Sequence, residues 1–115
     1  MPITNVITTP IILRGLVVGE YGKTNAVTLK DFAGVVQNVS SYTSLIVISS
    51  SPDGKKKLNS TGAFATDGAD GVVTWSYTSG VFCDRPGLWL GQAQLSKTGE
   101  LSKTYCFEME VDKSL

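Results

Sequence analysis

Cys83 and Arg85 are the pair in this 115-residue sequence whose types and spacing could activate a nucleophile. A cation near a thiol favours the reactive thiolate. The sequence contains no histidine, however, which excludes Cys-His and Ser-His nucleophile pairs and histidine-containing metal sites. It also has no Gly-rich phosphate loop, no serine nucleophile elbow and no carboxylate pair in a recognisable setting. We therefore predict no catalytic residues, no cofactor and no enzymatic activity.

Asp67 and Asp70 are the residues whose spacing suggests a cation site. An EF-hand loop needs oxygen ligands at alternating positions and a glutamate at its twelfth residue. The twelfth residue counted from Asp67 is Thr78, and the two aspartates are three residues apart. Asp-Gly steps favour turns. We therefore predict turns here and no metal site.

Lys55, Lys56 and Lys57 suggest a phosphate or nucleic-acid contact. The chain as a whole has 10 basic and 10 acidic residues and no net charge, whereas binding to nucleic acid or anionic lipid depends on clustered positive charge. No aromatic residue is interleaved with the lysines. We predict that they form a solvated hairpin tip that discourages edge pairing, and that the protein binds neither nucleic acid nor membrane.

Four aromatic residues could form a platform for sugar rings, namely Trp75, Tyr77, Trp89 and Tyr105. They share the phase of the apolar positions around them, which favours burial in the core for most of them. Tyr21 and Phe82 are less constrained, and we expect them to be more exposed.

Strand-like alternation runs through most of the chain and must position these residues. In residues 104–111, Tyr105, Phe107, Met109 and Val111 alternate with polar or small residues. The same period occurs in residues 71–77 and 87–95 and around Thr28. Residues 44–50 are apolar on both faces and predict a central strand that is covered on both sides or lies beneath a partner. No stretch shows a convincing helical period.

Turn residues separate these strands. The prediction is clearest at Pro52-Asp53-Gly54, where proline presets φ, aspartate bonds the backbone and glycine takes a positive φ. Strands alternating with such turns predict an all-β sandwich of about seven strands, formed by residues 15–115 as a single domain.

Residues 1–14 differ from the rest because they are uncharged before Arg14 and contain Pro2 and Pro10. One interpretation is a first edge strand with a frayed start. The other is an arm that docks on a neighbouring subunit through Ile11, Ile12 and Leu13. The sequence leaves both open.

Features of targeting point to a protein made in the cytoplasm. The sequence has no apolar run long enough to span a bilayer and no basic start to its apolar N-terminal residues, so we predict neither a membrane anchor nor a signal peptide. We expect Cys83 and Cys106 to be free thiols, with a disulfide between them as the alternative.

The order of turns and strands in residues 16–111 resembles the immunoglobulin-like domain of tailed-bacteriophage virion proteins, which is best known as the N-terminal domain of baseplate upper proteins. The segments that carry the resemblance are, in chain order, Val18-Gly19-Glu20-Tyr21-Gly22, residues 28–44, Pro52-Asp53-Gly54, Asp70-Gly71-Val72-Val73-Thr74-Trp75, Pro86-Gly87-Leu88-Trp89 with Gln92, and residues 107–111. The chain departs from the pattern at Ser40-Ser41-Tyr42 and Ser49-Ser50-Ser51.

The resemblance implies an immunoglobulin-like sandwich in a non-catalytic structural component of a phage particle. Such a component would decorate or join other virion subunits in the capsid, neck, tail or baseplate, in multiple copies set by particle symmetry. Its location would be the virion, with assembly in the host cytoplasm. The alternative is an adhesion module that binds host-surface glycan.

Overall fold

The computed structural model describes residues 6–78 and 84–113. Within these residues the secondary structure consists of β-strands, as the alternating pattern predicts, and helices are absent. The ten strands in this part of the chain are β1 Ile7–Thr9, β2 Ile12–Val17, β3 Thr24–Lys30, β4 Ser44–Ser50, β5 Lys57–Thr61, β6 Ala63–Phe64, β7 Val72–Ser76, β8 Gly87–Lys97, β9 Glu100–Lys103 and β10 Phe107–Asp112.

The strands form two sheets. The smaller sheet has the strand order β1-β3-β7-β6 and is antiparallel. The larger sheet has the order β2-β10-β8-β4-β5, with β9 paired to the second half of β8. This larger sheet is mixed because β2 runs parallel to β10, while its other pairs are antiparallel.

Alternate side chains of both sheets point into one shared core. In β3, β4, β7, β8 and β10, buried positions alternate with more exposed ones. Fully buried side chains come from both sheets, among them Val27, Leu29 and Val73 of the smaller sheet and Val47, Trp89, Leu95 and Met109 of the larger one. The core is therefore the layer between the sheets.

Close contacts between the sheets fix their relative position. The rings of Trp75 and Phe107 lie 5.7 Å apart at an interplanar angle of 52°. The hydroxyl of Tyr77 lies 2.6 Å from Oγ of Ser49, which gives both buried polar groups a partner. The hydroxyl also donates toward Sδ of Met109 at 3.7 Å.

The predicted number of about seven strands is lower than the ten strands in the described residues. One reason is that the first extended segment changes sheets. Its first part, β1, pairs with β3, and its second part, β2, pairs with β10. Thr9 and Pro10 lie near the change of sheet, and proline has no N–H with which to continue a ladder. The predicted boundary between residues 14 and 15 falls inside β2.

A β-bulge interrupts the last predicted strand. Lys103 pairs with Gln94 and Phe107 pairs with Gly91, so three residues of one strand face two of the other. The extra residue reverses the alternation, and Tyr105 is therefore 53% exposed. The sequence-based placement of Tyr105 on the core face was wrong, because strict alternation cannot reveal a bulge.

The turn predicted at Pro52-Asp53-Gly54 is confirmed. The N–H of Gly54 donates to the carbonyl oxygen of Ser51 at 2.9 Å, and Gly54 has a φ of 72°. The carboxylate of Asp53 accepts the N–H of Lys55 at 3.0 Å. This turn sets the register of the β4–β5 hairpin, in which Ser50 faces Lys57.

Candidate interaction surfaces

The residues predicted to dock on a neighbouring subunit lie where the chain joins the larger sheet. Ile12 and Leu13 belong to β2, and they pair with Glu108 and Met109 of β10. Leu13 packs against the core, whereas Ile11 is 60% exposed. β2 is the edge strand of the larger sheet, and two of its backbone groups are hydrogen-bonded by side chains of the next loop: the N–H of Val17 donates to Glu20, and the carbonyl oxygen of Gly15 accepts from Lys23.

The aspartates considered for cation binding are occupied by turn hydrogen bonds. The carboxylate of Asp67 accepts the N–H of Ala69 at 2.9 Å. That of Asp70 accepts the N–H of Val72 at 3.1 Å and the hydroxyl of Thr66 at 3.0 Å. Within residues 6–78 and 84–113, no group of three or more metal-ligating side chains comes together.

The lysines that follow the β4–β5 turn have different surroundings. Lys56 forms an ion pair with Asp84 at 2.8 Å, and Arg85 joins Asp84 to Asp53, with 2.8 Å between Arg85 Nη1 and Asp53 Oδ2. These contacts connect the β4–β5 turn to the segment that enters β8. The pKa of Asp84 is lowered from 3.8 to about 2. The larger cause is a hydrogen bond from Arg85, and the next is a hydrogen bond from Lys56. Lys57 is exposed at the start of the edge strand β5.

The aromatic residues divide between the core and the surface. Trp75, Tyr77 and Trp89 are buried, as predicted for most of this group. Tyr105 instead lies at the surface beside Phe32, with 5.5 Å between the ring centroids. Phe32 is also exposed, and the sequence reasoning missed it because it lies in a loop with no strand period. Tyr21 is exposed as expected, and Phe82 lies outside the described residues.

The outer face of the larger sheet is the surface that the sequence analysis did not identify. Leu88 and Leu90 of β8 are 48% and 47% exposed on this face. Ile48 of β4 lies diagonally across from Leu90, since it pairs with Gln92 and Ser50 pairs with Leu90. Ile46 follows on the same face of β4, and both isoleucines are half-buried. We call these four residues the apolar strip. Residues 44–50 were predicted to form a central strand, and β4 does pair on both edges, with β5 and β8. Within the described chain, however, Ile46 and Ile48 lack a covering layer.

Charged residues lie on both sides of the apolar strip. Glu108 and Glu110 of β10 are on one side, where Glu110 is paired with Arg14 of β2 at 3.7 Å, and Lys57 of β5 is on the other. One row runs straight across the sheet in register, because Glu108 pairs with Leu90, Leu90 with Ser50, and Ser50 with Lys57. An open depression in this face is lined by Ile48, Ser50, Lys57, Leu90, Gly91, Gln92 and Cys106.

Of the two cysteines, Cys106 is a free, exposed thiol. Cys83, which was considered as a thiol activated by Arg85, lies outside the described residues. Arg85 itself forms the ion pairs described above.

Among the described residues, no helix has the length and apolar character of a membrane span. Comparison of the sequence with protein-family models finds no matching family, and comparison with curated proteins finds no matching relative.

Proposed function

We propose that the protein is a non-catalytic structural component of a bacteriophage particle, in which it decorates or joins other virion subunits. The proposal combines the resemblance of residues 16–111 to phage immunoglobulin-like domains with the way this fold uses its polar groups. Its partners would be other phage structural proteins, and its location would be the virion after assembly in the host cytoplasm.

The strand arrangement supports the immunoglobulin-like part of this proposal. Immunoglobulin sandwiches place strands A, B, E and D in one sheet and C, F and G in the other. The order β1-β3-β7-β6 fits the first set, and the order β10-β8-β4 fits G, F and C. The additional strands come from the first segment, which contributes to both sheets, from β5 beyond β4, and from the bulge between β9 and β10.

The proposal of a non-catalytic role rests on how the aspartate carboxylates are hydrogen-bonded. Asp31 accepts the N–H groups of Ala33 and Val35, both at 2.9 Å. Asp53, Asp67 and Asp70 cap turns in the same way. A carboxylate that is hydrogen-bonded to backbone N–H groups of its own loop holds that loop in place. These four aspartates thus fix loops, which supports a structural role for them.

Immunoelectron microscopy tests the virion assignment. An antibody raised against the recombinant chain is applied to purified particles from the cells that produce the protein, and mass spectrometry measures its copy number relative to the major capsid protein. We expect labelling at a fixed position on the particle and a reproducible stoichiometry. Recovery of the chain only in the particle-free fraction would contradict the proposal, and antibody adsorbed with the purified chain is the control.

The exposed pair of Phe32 and Tyr105 favours a second candidate, an adhesion module that binds host-surface glycan. Two exposed rings with centroids 5.5 Å apart offer an apolar face on which a sugar ring can stack. A glycan array with the isolated chain tests this candidate. Binding that is lost in Phe32→Ala and Tyr105→Ala but kept in Tyr21→Ala, which alters an exposed aromatic elsewhere, would support it. An array without signal would exclude it.

A further inference from the structure

We propose that the outer face of the larger sheet binds a second copy of this chain face to face, with Glu108 of each copy opposite Lys57 of the other. The inference rests on the apolar strip, on the charges at its two sides and on their register. It does not depend on the virion assignment, because a free dimer and a dimer within a particle would use the same face.

The apolar strip is the part of this face that gains most from a partner. Leu88 and Leu90 are each about half exposed, and Ile46 and Ile48 add apolar area on β4. The strip runs diagonally across the sheet from β8 to β4, and its diagonal neighbours Leu90 and Ile48 are within reach of each other. Removing such a patch from water is favourable in proportion to its apolar area.

The arrangement of charges identifies a second copy as the occupant. The strip has Glu108 on its β10 side and Lys57 on its β5 side, while Glu110 of β10 is paired with Arg14 of β2 at 3.7 Å. A two-fold axis that runs along the strands, midway between β8 and β4, places β10 of one copy over β5 of the other. Glu108 of each copy then lies on the side of Lys57 of the other, twice per dimer, as an isologous interface requires.

The register brings individual side chains together in this arrangement. Glu108 and Lys57 lie at opposite ends of the row that also contains Leu90 and Ser50, and an axis parallel to the strands keeps each residue at its level. Glu108 therefore meets Lys57 of the second copy. Within the described residues, neither side chain has an ion-pair partner in its own chain.

The alternative two-fold axis, in the same plane but perpendicular to the strands, is unfavourable. It would place β10 over β10, so that Glu108 of one copy would lie over the acidic strand β10 of the other instead of over Lys57. Like charges brought together across an interface oppose association. The charge pattern of this face thus favours one orientation of the dimer over the other.

Charge reversal with sedimentation velocity tests the proposed contact. We expect wild-type protein to dimerise as its concentration rises, and Glu108→Lys or Lys57→Glu to weaken the dimer about tenfold each, because like charges then face each other. The double variant Glu108→Lys/Lys57→Glu restores the pair with reversed signs, so its dissociation constant should return to within about threefold of wild type. Thermal unfolding of each variant verifies that it folds.

The contribution of the apolar strip is tested by Leu90→Lys. This variant should abolish dimerisation, whereas Val35→Lys, which alters an exposed apolar residue of a loop outside the sheets, should leave it unchanged. Equal behaviour of the two variants would overturn the proposal. So would a wild-type chain that stays monomeric up to its solubility limit, or a double charge reversal that fails to restore association.

Cross-linking distinguishes the two orientations of the dimer. In a Cys83→Ser background, Asn59→Cys is combined with the native Cys106, which lines the depression in this face. A short bis-maleimide should join residue 59 of an isotope-labelled chain to Cys106 of an unlabelled one. Within one chain these positions are three strands apart, about 14 Å, beyond such a reagent. Links between two Cys106 residues alone would contradict the proposed orientation.

Discussion

The two faces of β8 present apolar side chains to opposite surroundings. Trp89 points inward and is 0% exposed, whereas its neighbours Leu88 and Leu90 point outward and are about half exposed. On the inner face, Gly91 leaves room for the ring of Phe107, and a Cβ at this glycine would lie 2.5 Å from Cζ of that ring. The outer face shows no comparable fit within the described chain. Residue type therefore shows that β8 is apolar, while packing decides which face stabilises the fold.

Trp89→Ala, on the inner face of β8, is the substitution with the largest expected effect on the free energy of unfolding. The variant removes a fully buried indole and the hydrogen bond from its Nε1 to the carbonyl oxygen of Arg85 at 3.1 Å. We expect the free energy of unfolding to fall by about 3–5 kcal/mol. Leu90→Ala is the control on the outer face of the same strand and should lower it by less than about 1 kcal/mol.

Urea denaturation at low protein concentration measures both values, because dilution keeps the proposed dimer from adding to the stability. Equal losses for Trp89→Ala and Leu90→Ala would show that the two faces of β8 are equivalent, contrary to the comparison.

A smaller effect is expected from Gly91→Ala, which sharpens the comparison by adding one methyl group to the inner face. The new Cβ must displace the Phe107 ring, and overpacking of this kind typically costs about 1–3 kcal/mol. Combination with Phe107→Leu should cost less than the sum of the two single changes, since the smaller side chain makes room. Gln94→Ala, on the outer face of the same strand, is the control. Additive losses would argue that Gly91 and Phe107 do not compete for the same space.

The smallest effect is expected where β8 begins, at the cluster of Asp84, Arg85 and Lys56. Because the pKa of Asp84 is lowered to about 2 in the folded protein, its charged form stabilises the fold above pH 3.8, and this contribution is lost as the pH falls toward 2. Asp84→Asn removes the contribution, which for a surface group is less than about 1 kcal/mol.

The difference in unfolding free energy between wild type and Asp84→Asn should therefore be constant near neutral pH and vanish toward pH 2. Asp112→Asn, which removes an exposed carboxylate that has no ion pair within the described residues, controls for the loss of one charge. A gap that widens on acidification would contradict the role given to Asp84.

Local patterns explain which parts of this fold could be predicted from sequence. The alternation in β7 and β8 and the Pro-Asp-Gly turn depend on neighbouring residues, so they were predicted correctly. The division of the first segment between two sheets and the bulge before Phe107 depend on residues far apart in the chain, such as the bond from the N–H of Tyr105 to the carbonyl oxygen of Val6 at 2.9 Å.

The outer face of the larger sheet was missed for a related reason. The apolar character of residues 44–50 was recognised and explained either by a cover on both sides or by a partner, because a single sequence does not show whether the covering layer belongs to the same chain. The row from Glu108 to Lys57 joins residues from four strands, and only the strand order brings them into line.

The parallel pairing of β2 with β10 has a mechanical consequence. Ile12 lies beside Glu108 and Val17 beside Asp112, so the chain enters this pair at one end and leaves it at the other. A force that pulls these two ends apart acts along the strands and loads their hydrogen bonds simultaneously, in shear. A hairpin pulled at its open end yields one bond at a time, whereas this seam resists as a unit.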